Sequence, residues 1–540
     1  MPTNIKDILL ENEFLNNQNS NYRDYCQDIA EFCLPRKAWI TTIRTKGERI
    51  KFNFLYDSTA IGAVRDTAAG FNTYLTNSSS RWFALESRDK DLNKIKEVRQ
   101  FWKDTEDWAY AKLADSKFYN TTLEYYTDLL SFGTSTFSML EEPKKFVSFK
   151  KIPVEEVNRV VDANGNLCGL YRNFKLTAYQ AFKLWGDNVG KSIKESLEKK
   201  PFDEFEFVHF VGERYDRDVS KKDSGNMPYK SCWIAKKDEI LMNESGYMEM
   251  PYISDVFYID NNDTNGFSPA MDCFAEIRLV NAMQKTFIRA DMKQADPPLV
   301  APSRGFVLPL NFNPAGMNYR DPKTNKDDLQ ALPVGNGKLS TTYEHIKMVQ
   351  EAIRERMFVN LFRSLNEVTK QMTVLETQQR LAQSMSILGP VVNRCNDALG
   401  KSIIRLINMG ARNPMSGFPK PPDEIYSGKN QDYDIVYLSP MAKAQRQSEI
   451  MEIQSFLGDV NSIGAIIPSV FDKIDEDKTI DIMAQIRGIT PEILRGDEQI
   501  KEIREQRQKQ EQMMQTLQLA HTGAQIAKTG AEAEAVGSKK

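Results

Sequence analysis

The chain is expected to fold as an α+β protein, mainly helical and divided into several domains. Three observations carry that expectation. At 540 residues it is too long for one ordinary core, and suits roughly three or four domains of ~150 residues. Hydrophobic residues make up 41% and charged residues 27%, a globular composition. Apolar residues recur at threes and fours from Ile61 to Leu75, whereas the period changes and turn residues appear from about Phe146 to Tyr258.

The part before about residue 145 reads as mainly helical. From Ser58 to Leu75 small residues are frequent, and Ile61, Val64, Ala68, Phe71 and Leu75 mark one buried helical face. Asn77 to Ser80 breaks that helix, and Arg81-Trp82-Phe83 follows as a short extended piece. A second helical stretch runs from about Leu92 to Leu113, with Trp102 and Trp108 as core residues. Strands are predicted at Phe146–Phe149 and Val157–Val161. Asp162-Ala-Asn-Gly165 supplies a turn, and Leu167–Phe174 returns. A helix over Leu176–Gly186 and strands at Glu204–Arg214 and Ser231–Ile234 complete a mixed domain, which Asn261 to Gly266 closes.

Ser268 then caps a helix with Pro269 at its first position, and this helix should reach about Lys293. Asp296-Pro-Pro298 stops it. Residues 296 to 338 carry seven prolines and several glycines, and should be an irregular or β-rich insert. A helix reopens at Thr341 or Thr342 and runs to about Leu365. After a polar break at Asn366 to Lys370 another long helix reaches Met409, with a kink expected at Gly389-Pro390. Pro414 to Pro422 reads as a loop and Asp434 to Leu438 as a strand. Ser439-Pro440 caps a helix over Met441 to about Leu457. Ile480 to Thr516 is helical and charged, and the Ala-, Gly-, Glu- and Lys-rich tail beyond Ala520 should be frayed.

Several function classes find no support. The net charge is −3, so any contact with nucleic acid must be local or transient. Cys26, Cys33, Cys168, Cys232, Cys273 and Cys395 show no paired spacing, and read as reduced, mostly buried thiols. His209, His345 and His521 are far apart in sequence, which supports neither a metal site nor a histidine-dependent triad. Gly335-Asn-Gly-Lys338-Leu339-Ser340 lacks the hydroxyl directly after the lysine and the earlier glycine that a phosphate loop requires, so a turn is expected. Glu141-Glu142 and Glu155-Glu156 read as solvated surface. No signal segment or apolar run long enough for a membrane span is seen, and the expectation is a soluble protein made in a cytoplasm.

One pattern stands apart. At about 100° per residue from Arg278, Lys285 falls at about −20°, Arg289 at about +20° and Lys293 at about +60°. Four cations therefore form one stripe, with Glu276, Val280, Met283 and Phe287 on the far side. The stripe is either the solvated face of an amphipathic helix or the basic lining of a channel made by several copies, and the residues alone leave both open.

The order of parts is more specific. Gly266-Phe-Ser-Pro269, a long helix, Asp296-Pro-Pro298, a proline-rich insert and a second helix together resemble the podovirus head-to-tail connector (portal) family. Tyr56-Asp-Ser-Thr-Ala60 leading through Ala68-Ala-Gly70 to Arg81-Trp-Phe83 is similar to its N-terminal signature. So are Thr373 to Arg380 with Leu388-Gly-Pro390, Leu438-Ser-Pro-Met-Ala442, and Gly488-Ile-Thr-Pro-Glu-Ile-Leu-Arg495 to its later segments. Met441 stands where the family commonly has leucine, and Met372-Thr373 departs from its usual Thr-Ala-Thr.

The resemblance implies a dodecameric ring of wing, stem, clip and crown, with no enzymatic activity and no cofactor. The wing would take 1–265, the stem helices 266–293 and 342–365, and the clip 294–341. A tunnel loop, long wing helix and strand would take 366–438, the crown 439–500, and a charged helix with its tail 501–540. Arg278, Lys285, Arg289 and Lys293 would line the DNA channel, and Asn366, Glu367 and Lys370 would lie in the tunnel loop. Implied partners are double-stranded DNA, the terminase large subunit, a tail adaptor, and the major capsid and scaffolding proteins, with no membrane. Such a protein resides at the capsid portal vertex of the virion, and in the host cytoplasm during assembly. Two rival readings are a nucleotide-dependent packaging or processing enzyme and a tail adaptor ring. The first lacks its phosphate loop, and the second does not explain the stem–clip–stem order.

Overall fold

In a computed structural model the described residues are 4–43, 47–48, 52–142, 145–221, 223–259, 263–295, 299–300, 330–331, 339–366, 389–427, 433–439, 453–463, 473–475, 477–480, 483, 500–510 and 512–514. The chain divides into two units. One holds residues 1–80 and 112–408, the other 81–111 and 409–540.

The first unit opens with α1 (Ile5–Gln18) and α2 (Ser20–Cys33), followed by α3 (Thr59–Leu75). In the second unit β1 (Phe83–Ser87) precedes α4 (Lys96–Asp115), whose last residues return to the first unit. Next come α5 (Phe118–Phe132), β2 (Thr134–Glu142), β3 (Phe146–Ile152), β4 (Val157–Val161) and β5 (Leu167–Thr177). Two short helices, α6 (Ala178–Trp185) and α7 (Lys191–Lys199), are followed by β6 (Glu204–Glu213), β7 (Tyr229–Ala235), β8 (Ile240–Tyr247) and β9 (Tyr252–Val256).

Strands β4 to β8 form an antiparallel sheet in sequence order, and β2 pairs with both β3 and β9 in a smaller one. Strand β6 reads as a nearly continuous apolar run because both of its faces are covered. Val208 and Phe210 pack under Ile8 and Leu15 of α1, whereas Phe205 and Phe207 meet Ala178, Ala181 and Ile193 of α6 and α7. A capping box between Thr177 and Gln180 starts α6 two residues later than the sequence suggests, and β5 uses the intervening residues. The predicted turn stands: Gly165 has φ +82°, and its N–H donates to the Asp162 carbonyl at 3.0 Å.

The helical core of this unit continues through α8 (Pro269–Asp272), α9 (Phe274–Ala295), α10 (Leu339–Arg356) and α11 (Val359–Asn366). Two-residue strands β10 (Leu299–Val300) and β11 (Gln330–Ala331) pair between α9 and α10. One cluster joins Ile29, Val64, Met271, Ile277, Val280, Ile346 and Ile353 from five helices. The helix expected to run unbroken from Thr342 to Leu365 is two helices. Phe358, at φ +62°, separates α10 from α11. Likewise Cys273 separates α8 from α9, and its thiol is pushed up to about 12 by burial.

In the second unit β1 pairs antiparallel with β12 (Tyr433–Tyr437). Helix α12 (Gly389–Arg412) enters this unit at Met409 and precedes α13 (Asp423–Ser427). Trp102 and Trp108 are buried as expected, their indole N–H groups donating to Ser87 Oγ and the Ser416 carbonyl. Tyr110 explains the Arg81-Trp-Phe83 motif. Its hydroxyl accepts from the N–H groups of Trp82 and Phe83, both at 2.8 Å, and donates to the Phe83 carbonyl.

Five cysteines are buried and Cys168 is half-buried, all without disulfides. The surface reading of Glu155-Glu156 is overturned. Glu156 pairs with Arg172 at 2.8 Å, and burial pushes Glu155 up to about 7. The helices expected over 441–457 and 480–516 are described only in part: helix is seen at 453–463, past the expected end, and at 480, 483, 500–510 and 512–514. Residues 373–380, 388, 488–495 and the tail beyond 520 lie outside the described residues.

Candidate functional site

The striped helix is α9, and its surroundings follow from local chemistry. Ser268 Oγ accepts from the Met271 N–H at 3.0 Å and donates to the Ser131 carbonyl at 2.8 Å. The cap therefore fixes both the start of α8 and its attachment to α5. Gly266 precedes it because a Cβ there would sit 2.3 Å from the Gly133 carbonyl oxygen. The Gly-Phe-Ser-Pro motif is thus a docking device for the helix that follows.

A second motif clamps that helix from the side. Asn281 Oδ1 accepts from the N–H groups of Tyr56 and Asp57 at 2.7 and 3.2 Å, and its Nδ2 donates to the Phe54 carbonyl. Asp57 accepts from the Thr59 N–H at the start of α3 and from Gln350 Nε2 of α10 at 2.6 Å. The Tyr56-Asp-Ser-Thr-Ala60 signature therefore ties α3 to both α9 and α10.

Helices α9 and α10 run antiparallel. Phe287 meets Tyr343 at a ring distance of 6.0 Å, and Glu276 pairs with Arg356 at 2.9 Å near the other end. Val280 is buried, and Met283 and Phe287 pack with Val349 around the same core. The far side of α9, which bears Glu276, Val280, Met283 and Phe287, thus packs within the chain.

On the opposite side Arg278, Arg289 and Lys293 are exposed, and Lys285 is half-buried. Lys285 Nζ lies 5.5 Å from the centre of the Tyr56 ring, and Arg278 lies 5.8 Å from that of Phe274. Among the described residues none of the four cations has an ion-pair partner. Ala282 and Thr286 share this exposed side, with Leu279 and Met292. The stripe is a real surface, positively charged and without an ion-pair partner among the described residues of the chain.

A complementary feature on α10 escapes the reading from sequence. From Glu344, Met348 lies at about +40°, Glu351 at about −20° and Glu355 at about +20°. All three glutamates are exposed, opposite the buried Ile346 and Ile353. Hydrogen bonds from Asn360 at 2.6 Å and Arg354 at 3.1 Å hold Glu351 below the ordinary glutamate range. The same wheel arithmetic applied to α10 would have exposed this face.

Other candidates separate. Asn366 ends α11 as described, whereas Glu367 and Lys370 lie outside the described residues, as do Gly335 to Lys338 and His521. His209 is buried and stacked on Trp233 at 3.6 Å, and His345 is exposed on α10. Among the described residues no group of three His, Cys, Asp or Glu side chains is placed to hold a metal ion, and no helix is long and apolar enough to cross a membrane.

Comparison with known proteins covers nearly all of the chain. The model of the family described as bacteriophage head to tail connecting protein matches residues 7–494. The chain is 26% identical over 527 residues to the portal protein of Salmonella phage epsilon15, spanning 96% of this chain and 94% of that protein. It is 27% identical over 521 residues to the probable portal protein of Bordetella phage BPP-1, spanning 95% and 93% of the two chains.

Proposed function

The chain belongs to the bacteriophage head to tail connecting protein family, and from that premise we propose that it is the portal subunit of one capsid vertex. Copies form a ring, expected to be dodecameric, through which viral DNA is packaged and later ejected. The protein does no chemistry of its own. It docks the terminase, whose large subunit hydrolyses ATP, and afterwards a tail adaptor, and it contacts the major capsid and scaffolding proteins. It resides in the virion and is assembled in the host cytoplasm.

The observation that carries this reading is the likeness to two phage portal proteins over more than nine-tenths of both chains. It is supported by the antiparallel α9–α10 pair on either side of the insert at 296–338, the order expected of stem, clip and stem. The region bordered by Arg278, Lys285, Arg289 and Lys293 is proposed as the stem wall of the channel. Asn366, Glu367 and Lys370 are proposed for the tunnel loop. Weak contact with phosphates suits a conduit, since tight binding would stall movement.

Negative-stain imaging of the purified full chain tests the reading. Rings with an axial opening wide enough for a duplex are expected, without ATP turnover by the isolated protein. A globular monomer, or a ring without an axial opening, would remove the portal reading, and ATP hydrolysis would restore the enzyme reading.

A further inference from the structure

We propose that successive copies join through the outer faces of the α9–α10 pair, Arg278 of one copy to Glu355 of the next and Arg289 to Glu344. The proposal rests on the ring reading and names the partner of the basic stripe: a second copy of this chain.

Each helix has already used its apolar side. The apolar seams of α9 and α10 face one another, closed by Phe287 with Tyr343 and by Glu276 with Arg356. Each helix is left with one charged face, about 180° from that seam. The α9 face is basic, and the α10 face carries Glu344, Glu351 and Glu355 with exposed Lys347 at its edge, about −60° from Glu344. Because they point away from each other, no single copy can bring them together.

The spacings agree. Arg278, Lys285 and Arg289 stand at i, i+7 and i+11, and so do Glu344, Glu351 and Glu355. In both cases the middle member is engaged within its own copy. Lys285 lies over the Tyr56 ring, and Glu351 accepts from Arg354 and Asn360. The outer members, Arg278 and Arg289 on one helix and Glu344 and Glu355 on the other, have no ion-pair partner among the described residues. The separation between outer members is roughly 16.5 Å on each helix. Antiparallel helices therefore bring Arg278 level with Glu355 when Arg289 is level with Glu344.

The remaining side chains suit such a contact. Ala282 presents little bulk between the two arginines, and Met348, 69% exposed, lies between the two glutamates. Leu279, 50% exposed, adjoins Arg278 and adds apolar area. A contact between two different faces is heterologous, the kind that generates a ring when its rotation closes. Lys293 lies one turn beyond the last matched pair and remains for phosphates at the wall.

Two charge-reversed chains test this: Arg278→Glu with Arg289→Glu, and Glu344→Arg with Glu355→Arg. Like charges then meet at every contact, and each variant alone should sediment as a subunit rather than a ring. Their equimolar mixture should recover rings, because each contact again joins opposite charges. The chain carrying all four reversals should form rings by itself, which keeps the test valid if either double variant folds poorly. Double variants that assemble as the wild type does would overturn the contact and return both arginines to the duplex. Failure of both the mixture and the four-fold variant would overturn it as well. If the unmodified chain forms no ring, the portal reading falls, and this contact with it.

Discussion

At the scale of single residues the fold depends on charges that burial would otherwise forbid. Asp128 of α5 is buried, which by itself would raise its carboxyl, yet Lys151 at 2.8 Å and Lys37 at 2.5 Å outweigh that and hold it below the ordinary range. The two lysines are unequal. Lys37 is partly exposed and can return to water, whereas Lys151 is nearly enclosed. Asp128→Asn should therefore cost about 3–5 kcal/mol, mostly by leaving Lys151 buried without its carboxylate. The sign with pH follows from the lowered carboxyl. Its stabilisation is complete above the unfolded value of about 3.9 and is lost as pH falls through the folded value. Denaturant melts of the two proteins should thus differ most at neutral pH and converge in acid. A constant difference at every pH would assign the loss to packing instead.

At the scale of elements, close backbone approaches decide where helices sit. Gly133 ends α5 at φ +73°, and it and Gly266 lie so close that a Cβ on either would come 2.3 Å from the other's carbonyl oxygen. Gly266→Ala would also crowd Val256 Cβ at 2.6 Å, and should destabilise by roughly 1–3 kcal/mol or more. Gly62→Ala is the control, since within α3 its Cβ meets nothing within 4 Å. That change should stabilise by about 0.5–1 kcal/mol, and equal effects at the two positions would refute the crowding argument. The cap at Ser268, the buried face of α3 and the stripe of α9 were legible because each follows from spacing within one element. The breaks at Cys273 and Phe358 were not, because no proline or polar run marks them. Glu155 and Glu156 were misread for a related reason. Adjacent carboxylates look solvated until the fold buries one, as at Glu155, and brings the other a partner, as Arg172 of β5 does for Glu156. The acidic face of α10 had the same kind of signal as the stripe, and acquires meaning only beside the basic face of α9.

At the scale of the whole molecule, 71 basic and 74 acidic side chains leave a net charge of −3. Such a chain has no field to hold a duplex from a distance, so in the proposed ring any attraction must come from a few cations near its channel. If Arg278 and Arg289 are occupied by the next copy, Lys293 is the stripe's main remaining contribution to that attraction. Assembled rings should then bind linear duplex DNA weakly and without sequence preference, and the association should weaken as salt rises. Titration at several salt concentrations gives the slope of log K against log salt, which reports how many phosphates are neutralised. Lys293→Gln should reduce that slope while the rings still assemble, because its position lies outside the proposed contact. Sequence-selective binding, or binding indifferent to salt, would mean that the ring grips DNA by base contacts or apolar wedges and is no passive conduit. An unchanged slope in Lys293→Gln rings would shift the contact to other cations, with Lys370 of the proposed tunnel loop the next residue to test.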